Sequence, residues 1–214
     1  MLSDERQGEG KELSGWVKFP EGTFTVEVRM GVSFISVEQA RRYIHRLSCC
    51  TQLMNRNLDL EIPDGQTLEQ TSSSTRQQWA DKLDLLKISN PHQTPEKATI
   101  LYSSLAHTLV YPYEIHEETP AGPQYYSGYL DKVVPSTSYS GYSIWDTFRA
   151  EWGWLILVAP ERVGGMVTSM LGDYKEGGWL PMWKNLVESN IMVGTHGDVM
   201  IAQAMQAGRL SELY

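Results

Sequence analysis

The chain has 214 residues, 41% of them hydrophobic and 21% charged, which is enough for one domain with a sizeable core and far from the composition of disordered segments. Its 18 basic and 26 acidic side chains leave a net charge of −8, so it lacks the basic footprint that nucleic acid or an anionic membrane surface requires. The longest apolar stretch, Trp152 to Pro160, falls well short of the ~20 residues that cross a bilayer, and no transmembrane segment is expected. Residues 1–20 are polar, without the apolar centre of a signal peptide, which implies either a cytosolic protein or a missing true N-terminus. Cys49 and Cys50 are adjacent and can neither staple distant parts of a fold nor supply a four-ligand zinc site. They read as helix-packing thiols, with a strained vicinal redox pair as the alternative.

In chain order, Phe24, Val26, Val28 and Met30 alternate with Thr23, Thr25, Glu27 and Arg29, a period-2 pattern that predicts a strand over 23–30. A lone strand needs a partner, so its sheet is expected outside this chain. Ser36 and Gln39 form a capping-box signal, and Ala40, Tyr43, Ile44 and Leu47 follow at helical spacing, predicting a helix over 37–50. Residues 55–74, with Pro63-Asp64-Gly65 and Ser72-Ser73-Ser74, lack periodicity and read as a loop. A second helix carries Trp79, Leu83 and Leu86. Thr94-Pro95 opens a third, with Ala98, Leu101, Leu105 and Leu109 on one face until Pro112. Residues 112–142, rich in Pro, Gly, Ser and Tyr, form too long a connection for a plain linker and predict an ordered functional loop. A largely apolar helix is expected from Ser143 to Val158, another from Pro160 to Gly177-Gly178, then a loop over 177–195 and a last helix over 197–207 capped by Gly208. Six helices behind one strand suggest an α/α toroid or part of one.

None of the motifs G-x-S-x-G, H-E-x-x-H, the P-loop or G-x-G-x-x-G is present. The tryptophans cluster instead, five of seven lying between Trp145 and Trp183. Trp152 and Trp154 fall in the apolar run and read as core. Trp145, Trp179 and Trp183 lie at a helix start or in Gly/Pro-rich loops, where a large aromatic either packs or faces a ligand, and a sugar's flat C–H face suits such a ring.

The blocks SIWDTFRAEW (143–152), DYKEGGWLPMWKN (173–185) and VESNIMVGTH (187–196) resemble the central blocks of glycoside hydrolase family 92, calcium-dependent exo-acting α-mannosidases. VEVRMGVSFIS (26–36) and QYYSGYLDKV (124–133) are similar to further family blocks in the same order. The resemblance implies a β-sandwich followed by an (α/α)6 barrel: residues 1–35 would be the tail and final strand of the first, with its linker, and residues 36–214 the opening portion of the second. The fold expected is therefore mainly α, a partial (α/α)6 barrel without the rest of the β-sandwich and the C-terminal half of the barrel. An exported parent would be consistent with this reading.

The resemblance also implies an inverting mechanism in which one carboxyl group protonates the leaving oxygen while another activates water. Glu188 matches the general acid. Trp145, Asp146, Arg149, Trp179, Trp183 and His196 lie in the matching blocks as residues that would hold a mannose-containing glycan, an N-glycan or mannan. Asp146 and Arg149, three apart, are also spaced to pair with each other on a helix, and a lone histidine such as His196 is often merely hydrogen-bonded. The family's general base lies in a later block resembling G-N-x-D-x-G-Q-M-S, which no part of these 214 residues matches. Calcium is expected for the complete parent, but no metal ligand is assigned within this chain. The expectation is thus an α-mannosidase-type segment that is catalytically incomplete by itself and self-associates through unpartnered helix faces bearing Leu155, Leu157 and Val158. The rival readings are a non-catalytic glycan-binding remnant of the same fold and an unrelated all-α scaffold.

Overall fold

The computed structural model describes residues 14–26, 28, 30–40, 57, 61–63, 65–89 and 94–208. The chain divides into two compact units, residues 1–30 and 31–214. In the first, Thr23 closes a turn by donating from its amide (3.3 Å) and its Oγ1 (2.7 Å) to the Pro20 carbonyl, and Gly22 takes the left-handed conformation that the turn needs (φ +85°). The expected strand over 23–30 is not formed in its described residues. Alternation supplies an apolar face but not the neighbouring backbone that makes a ladder, and Phe24, Val28 and Met30 remain exposed.

The second unit is mainly helical with small sheets. Helix α1 spans Val37–Ala40, with Ser36 Oγ accepting from the Gln39 amide at 3.0 Å. The rest of the expected helix, including Cys49 and Cys50, lies outside the described residues. Helix α2, Leu68–Leu83, starts inside the stretch expected to be loop and ends before Leu86. Thr67 Oγ1 accepts from the Gln70 amide (3.3 Å) and Gln70 Oε1 accepts from the Thr67 amide (2.9 Å), so a reciprocal cap starts a helix whose face is too polar to betray it. Helix α3, Pro95–Thr108, follows Thr94-Pro95 as expected and contributes only Leu105 to the buried set.

The tyrosine-rich connection is built of short strands: β1 (Tyr113–Glu114), β2 (Glu117–Thr119), β3 (Gly122–Ser127), β4 (Lys132–Val134), β5 (Tyr139–Ser140) and β6 (Tyr142–Ser143). β2, β3 and β4 form an antiparallel meander, and β1 pairs with β5. The single helix expected over 143–158 is two, α4 (Ile144–Thr147) and α5 (Glu151–Val158), because Ala150 leaves helical geometry with φ −146°. Helix α6, Pro160–Gly177, has proline in its first turn and is closed by Gly178 at φ +86°, whose amide donates to the Tyr174 carbonyl. Strands β7 (Trp183–Asn185) and β8 (Val187–Glu188) lie in the expected loop, and α7 spans Gly197–Gln206.

The core sits where α5, α6 and α7 meet β5 and β6: Tyr139, Tyr142, Ile144, Trp152, Leu155, Val163, Met166, Val167, Met170 and Met200 are its main members. Trp152 stacks on Tyr142 with centroids 6.3 Å apart. Trp154 is only half-buried, its indole N–H donating to Thr108 Oγ1 at 3.0 Å. Leu155, expected on an unpartnered face, is buried, Val158 is half-buried, and Leu157 alone of the three is exposed, at 75%. Among the described residues no helix is long and apolar enough to cross a membrane.

Candidate functional site

Strands β6, β7 and β8 form a three-stranded antiparallel sheet in which Ser143 pairs with Trp183, and Lys184 with Glu188. The β7–β8 turn is one residue, Leu186, held in the left-handed region at φ +68°. Its amide is compensated by donation to Ser140 Oγ at 2.8 Å, which ties this strained turn to β5. The hairpin bends back so that the Glu188 carboxylate accepts from the amides of Met182 (2.7 Å), Trp183 (3.1 Å) and Asn190 (2.9 Å). Its own backbone N–H donates to Tyr129 Oη at 2.7 Å. The Glu188 side chain is half-buried, carried on short strands and fixed by main-chain donors.

The other sequence candidates fall into distinct places. Trp183 is half-buried, and its Nε1 is buried with no hydrogen-bond partner among the described residues. Its ring lines a cavity of about 370 Å³ together with the rings of Tyr111, Tyr113, Tyr142 and Trp152 and the polar groups of His107, Glu151 and Asn185. Of the seven candidates, Trp183 alone lines it. Glu151 has its pKa raised there, first by burial and then by the nearby Asp146 carboxylate.

Asp146 and Arg149 do not pair. The Asp146 carboxylate accepts from Ser143 Oγ, whereas Arg149 donates to the Trp145 carbonyl at 3.1 Å and lays its guanidinium 4.5 Å from the Phe148 ring centroid and 5.9 Å from that of Trp145. Phe148 in turn stacks on His196 with centroids 3.8 Å apart and rings 14° from parallel. The break between α4 and α5 therefore assembles Trp145, Arg149 and His196 around Phe148, a residue that sequence reasoning passed over. Trp179 follows the Gly178 cap and is 78% exposed.

Behind the hairpin is a polar cluster that the sequence also did not reveal. Lys184 Nζ meets Asp173 Oδ1 at 2.7 Å, both side chains almost wholly buried. Burial pushes the Asp173 carboxyl up to about 6 against the opposing pull of Lys184, and Asp173 Oδ2 has no partner among the described residues. Among the described residues no three histidine, cysteine, aspartate or glutamate side chains converge as a metal site requires.

The family model for the glycosyl hydrolase family 92 catalytic domain matches residues 54–213. The chain belongs to glycosyl hydrolase family 92. The solved structure of a family 92 inverting mannosidase from Bacteroides thetaiotaomicron VPI-5482 is 29% identical, with a TM-score of 0.71, and the match covers 83% of this chain and 22% of that one. A family 92 α-mannosidase from the same species, in complex with mannoimidazole, shares the fold at 22% identity and TM-score 0.65, covering 82% of this chain and 21% of that one. No curated protein sequence matches the chain. This family 92 chain thus spans about a fifth of the length of the solved family members it matches.

Proposed function

We propose that this chain is the part of an exo-acting α-mannosidase that carries the general acid, Glu188, and that the complete enzyme removes terminal α-linked mannose from N-glycans or mannans with inversion. The observation that carries this reading is a carboxylate in a family-matching block, held by three main-chain amides on the hairpin whose Trp183 lines the aromatic cavity. In a single displacement Glu188 protonates the departing glycosidic oxygen while a second carboxylate deprotonates water on the opposite face of the sugar. The exposed Trp145 and Trp179 rings and half-buried Trp183 offer stacking surfaces, and Arg149, Asp146 and His196 supply polar groups for hydroxyls. The base, the calcium ligands and the remainder of an (α/α)6 barrel are assigned to parts of the family fold that these residues do not span.

Purified residues 1–214 are expected to release no measurable mannose from α-mannosides, with or without calcium, since general-base assistance contributes ~10²–10⁴ in rate. Robust release would overturn the division of catalytic groups proposed here. In the complete enzyme, Glu188→Gln should lower kcat by several orders of magnitude on glycans, whose leaving groups need a proton, while mannose still binds. An unimpaired variant would place the acid on another carboxylate. The exposed Trp179 favours one second reading, a glycan-binding module without turnover. That reading predicts that residues 1–214 bind mannan and lose the binding on Trp179→Ala, and that the complete protein is also inactive.

A further inference from the structure

Three residues on one face of the last turns of α6, at i, i+3 and i+4, each reach toward the segments that hold Glu188. Asp173 bonds Lys184 at 2.7 Å, and Lys184 is the register partner of Glu188 in the β7–β8 hairpin. Glu176 accepts from Tyr125 Oη and, at 2.5 Å, from Ser127 Oγ, fastening the end of β3 to the helix. Gly177 leaves room for the Tyr129 ring: a Cβ there would lie 2.7 Å from Tyr129 Cε1 and 2.9 Å from Cδ1. The turn that presents Tyr129 is further closed by the Leu130 amide donating to Ser127 Oγ at 3.2 Å. It also packs on the acid's own strand, where a Cβ on Gly128 would come within 2.7 Å of Val187 Cγ1.

We infer that Tyr129, seated on Gly177, is a positioning residue for Glu188: its hydroxyl, held by the α6 face, accepts the Glu188 backbone N–H and sets where the acid stands relative to the scissile bond. Without that acceptor the amide has no protein partner in a half-buried position, and the strained Leu186 turn has one fewer restraint. Burial, and then the Asp173 charge, push the tyrosine's pKa up to about 12, so the hydroxyl stays neutral throughout the range in which the enzyme would work and the contact does not switch with pH. Sequence spacing hides this relation, because Tyr129 and Glu188 are 59 residues apart.

The inference rests on Glu188 as the acid, and its test separates the two claims. Tyr129→Phe, Gly177→Ala and Glu188→Gln are made in the complete enzyme and assayed on a mannobiose and on an aryl mannoside whose leaving group needs no proton. Tyr129→Phe should lower kcat about 10- to 100-fold on the mannobiose, the scale of a small misplacement of a catalytic group, with KM within about twofold. On the aryl mannoside the loss should be under about threefold. Gly177→Ala, which keeps the hydroxyl but displaces the ring, should show the same dependence on leaving group. Equal losses on both substrates, or none, would overturn the positioning role. Site-resolved amide exchange needs no turnover: Tyr129→Phe should speed exchange at Glu188 by about tenfold while Tm holds, and unchanged exchange would also overturn it. If instead Glu188→Gln lacks the leaving-group dependence, the acid assignment fails, and amide exchange decides the structural contact independently.

Discussion

At the scale of single residues, Asp173 and Lys184 form an ion pair taken almost wholly out of water, with side chains 3% and 1% exposed. Removing both charges from water is compensated only while they face each other, so Lys184→Met alone should destabilise the protein by about 3–5 kcal/mol, more than the double change to apolar residues of similar volume. The raised Asp173 pKa, about 6 against ~3.9 in an unfolded chain, also fixes a pH dependence. The folded state binds the proton more tightly, so this group's stabilising contribution is complete below about pH 4 and is lost as the pH climbs to about 6. Denaturant titrations should show wild-type stability declining across that window relative to Asp173→Asn, which has no proton to lose. Parallel curves would show that the carboxyl titrates normally.

At the scale of elements, α2 and α6 show two ways of making a helix. Helix α6 buries Val163, Met166, Val167 and Met170, so packing stabilises it and its Pro160 and Gly178 ends only set its limits. Helix α2 buries no residue and depends on its cap, its own hydrogen bonds and a part-exposed ion pair from Lys82 to Glu161 of α6 at 2.8 Å. Thr67→Ala should therefore cost about 1 kcal/mol, seen as faster amide exchange within residues 68–72, while the cooperative transition of the core hardly moves. A drop in Tm as large as that of a core truncation would mean that α2 is coupled to the core far more strongly than its exposure implies.

At the scale of the molecule, the described residues of the unit comprising residues 31–214 include large apolar side chains left in water, and apolar surface that gathers into a patch favours association. Leu157 is 75% exposed, Trp179 78% and Val193 82%, the last within the exposed run Ile191-Met192-Val193. Residues 1–214 by themselves should consequently self-associate, with an elution volume in gel filtration that shifts with concentration and with strong binding of a hydrophobic dye. A sharp, concentration-independent monomer would show that these faces are tolerated in water. Leu155, expected on such a face, is buried in the core instead, which narrows the exposed part of α5 to Leu157.

Features written in a few consecutive residues were readable from the chain alone. Thr94-Pro95, Pro160 and Gly177-Gly178 mark helix ends because proline's fixed φ and glycine's access to positive φ act within one turn, and the long ordered blocks carried the family. The start of α2 at Thr67 escaped because its T-x-x-Q cap opens a polar helix with no apolar stripe. Apart from the six-residue β3, the strands between Tyr113 and Glu188 are too short for alternation to register, and the period-2 run at 23–30 forms no strand in its described residues because a partner strand is not supplied by local sequence. The resemblance put Glu188 forward as the candidate acid, but the groups around it were not legible in the sequence. The Tyr129 hydroxyl, the Asp173–Lys184 pair and the Phe148–His196 stack join residues from 11 to 59 positions apart. Such contacts form only when the packing of α5, α6 and α7 brings distant segments to one place, and local propensity, which reaches about four residues along a helix, carries no record of them.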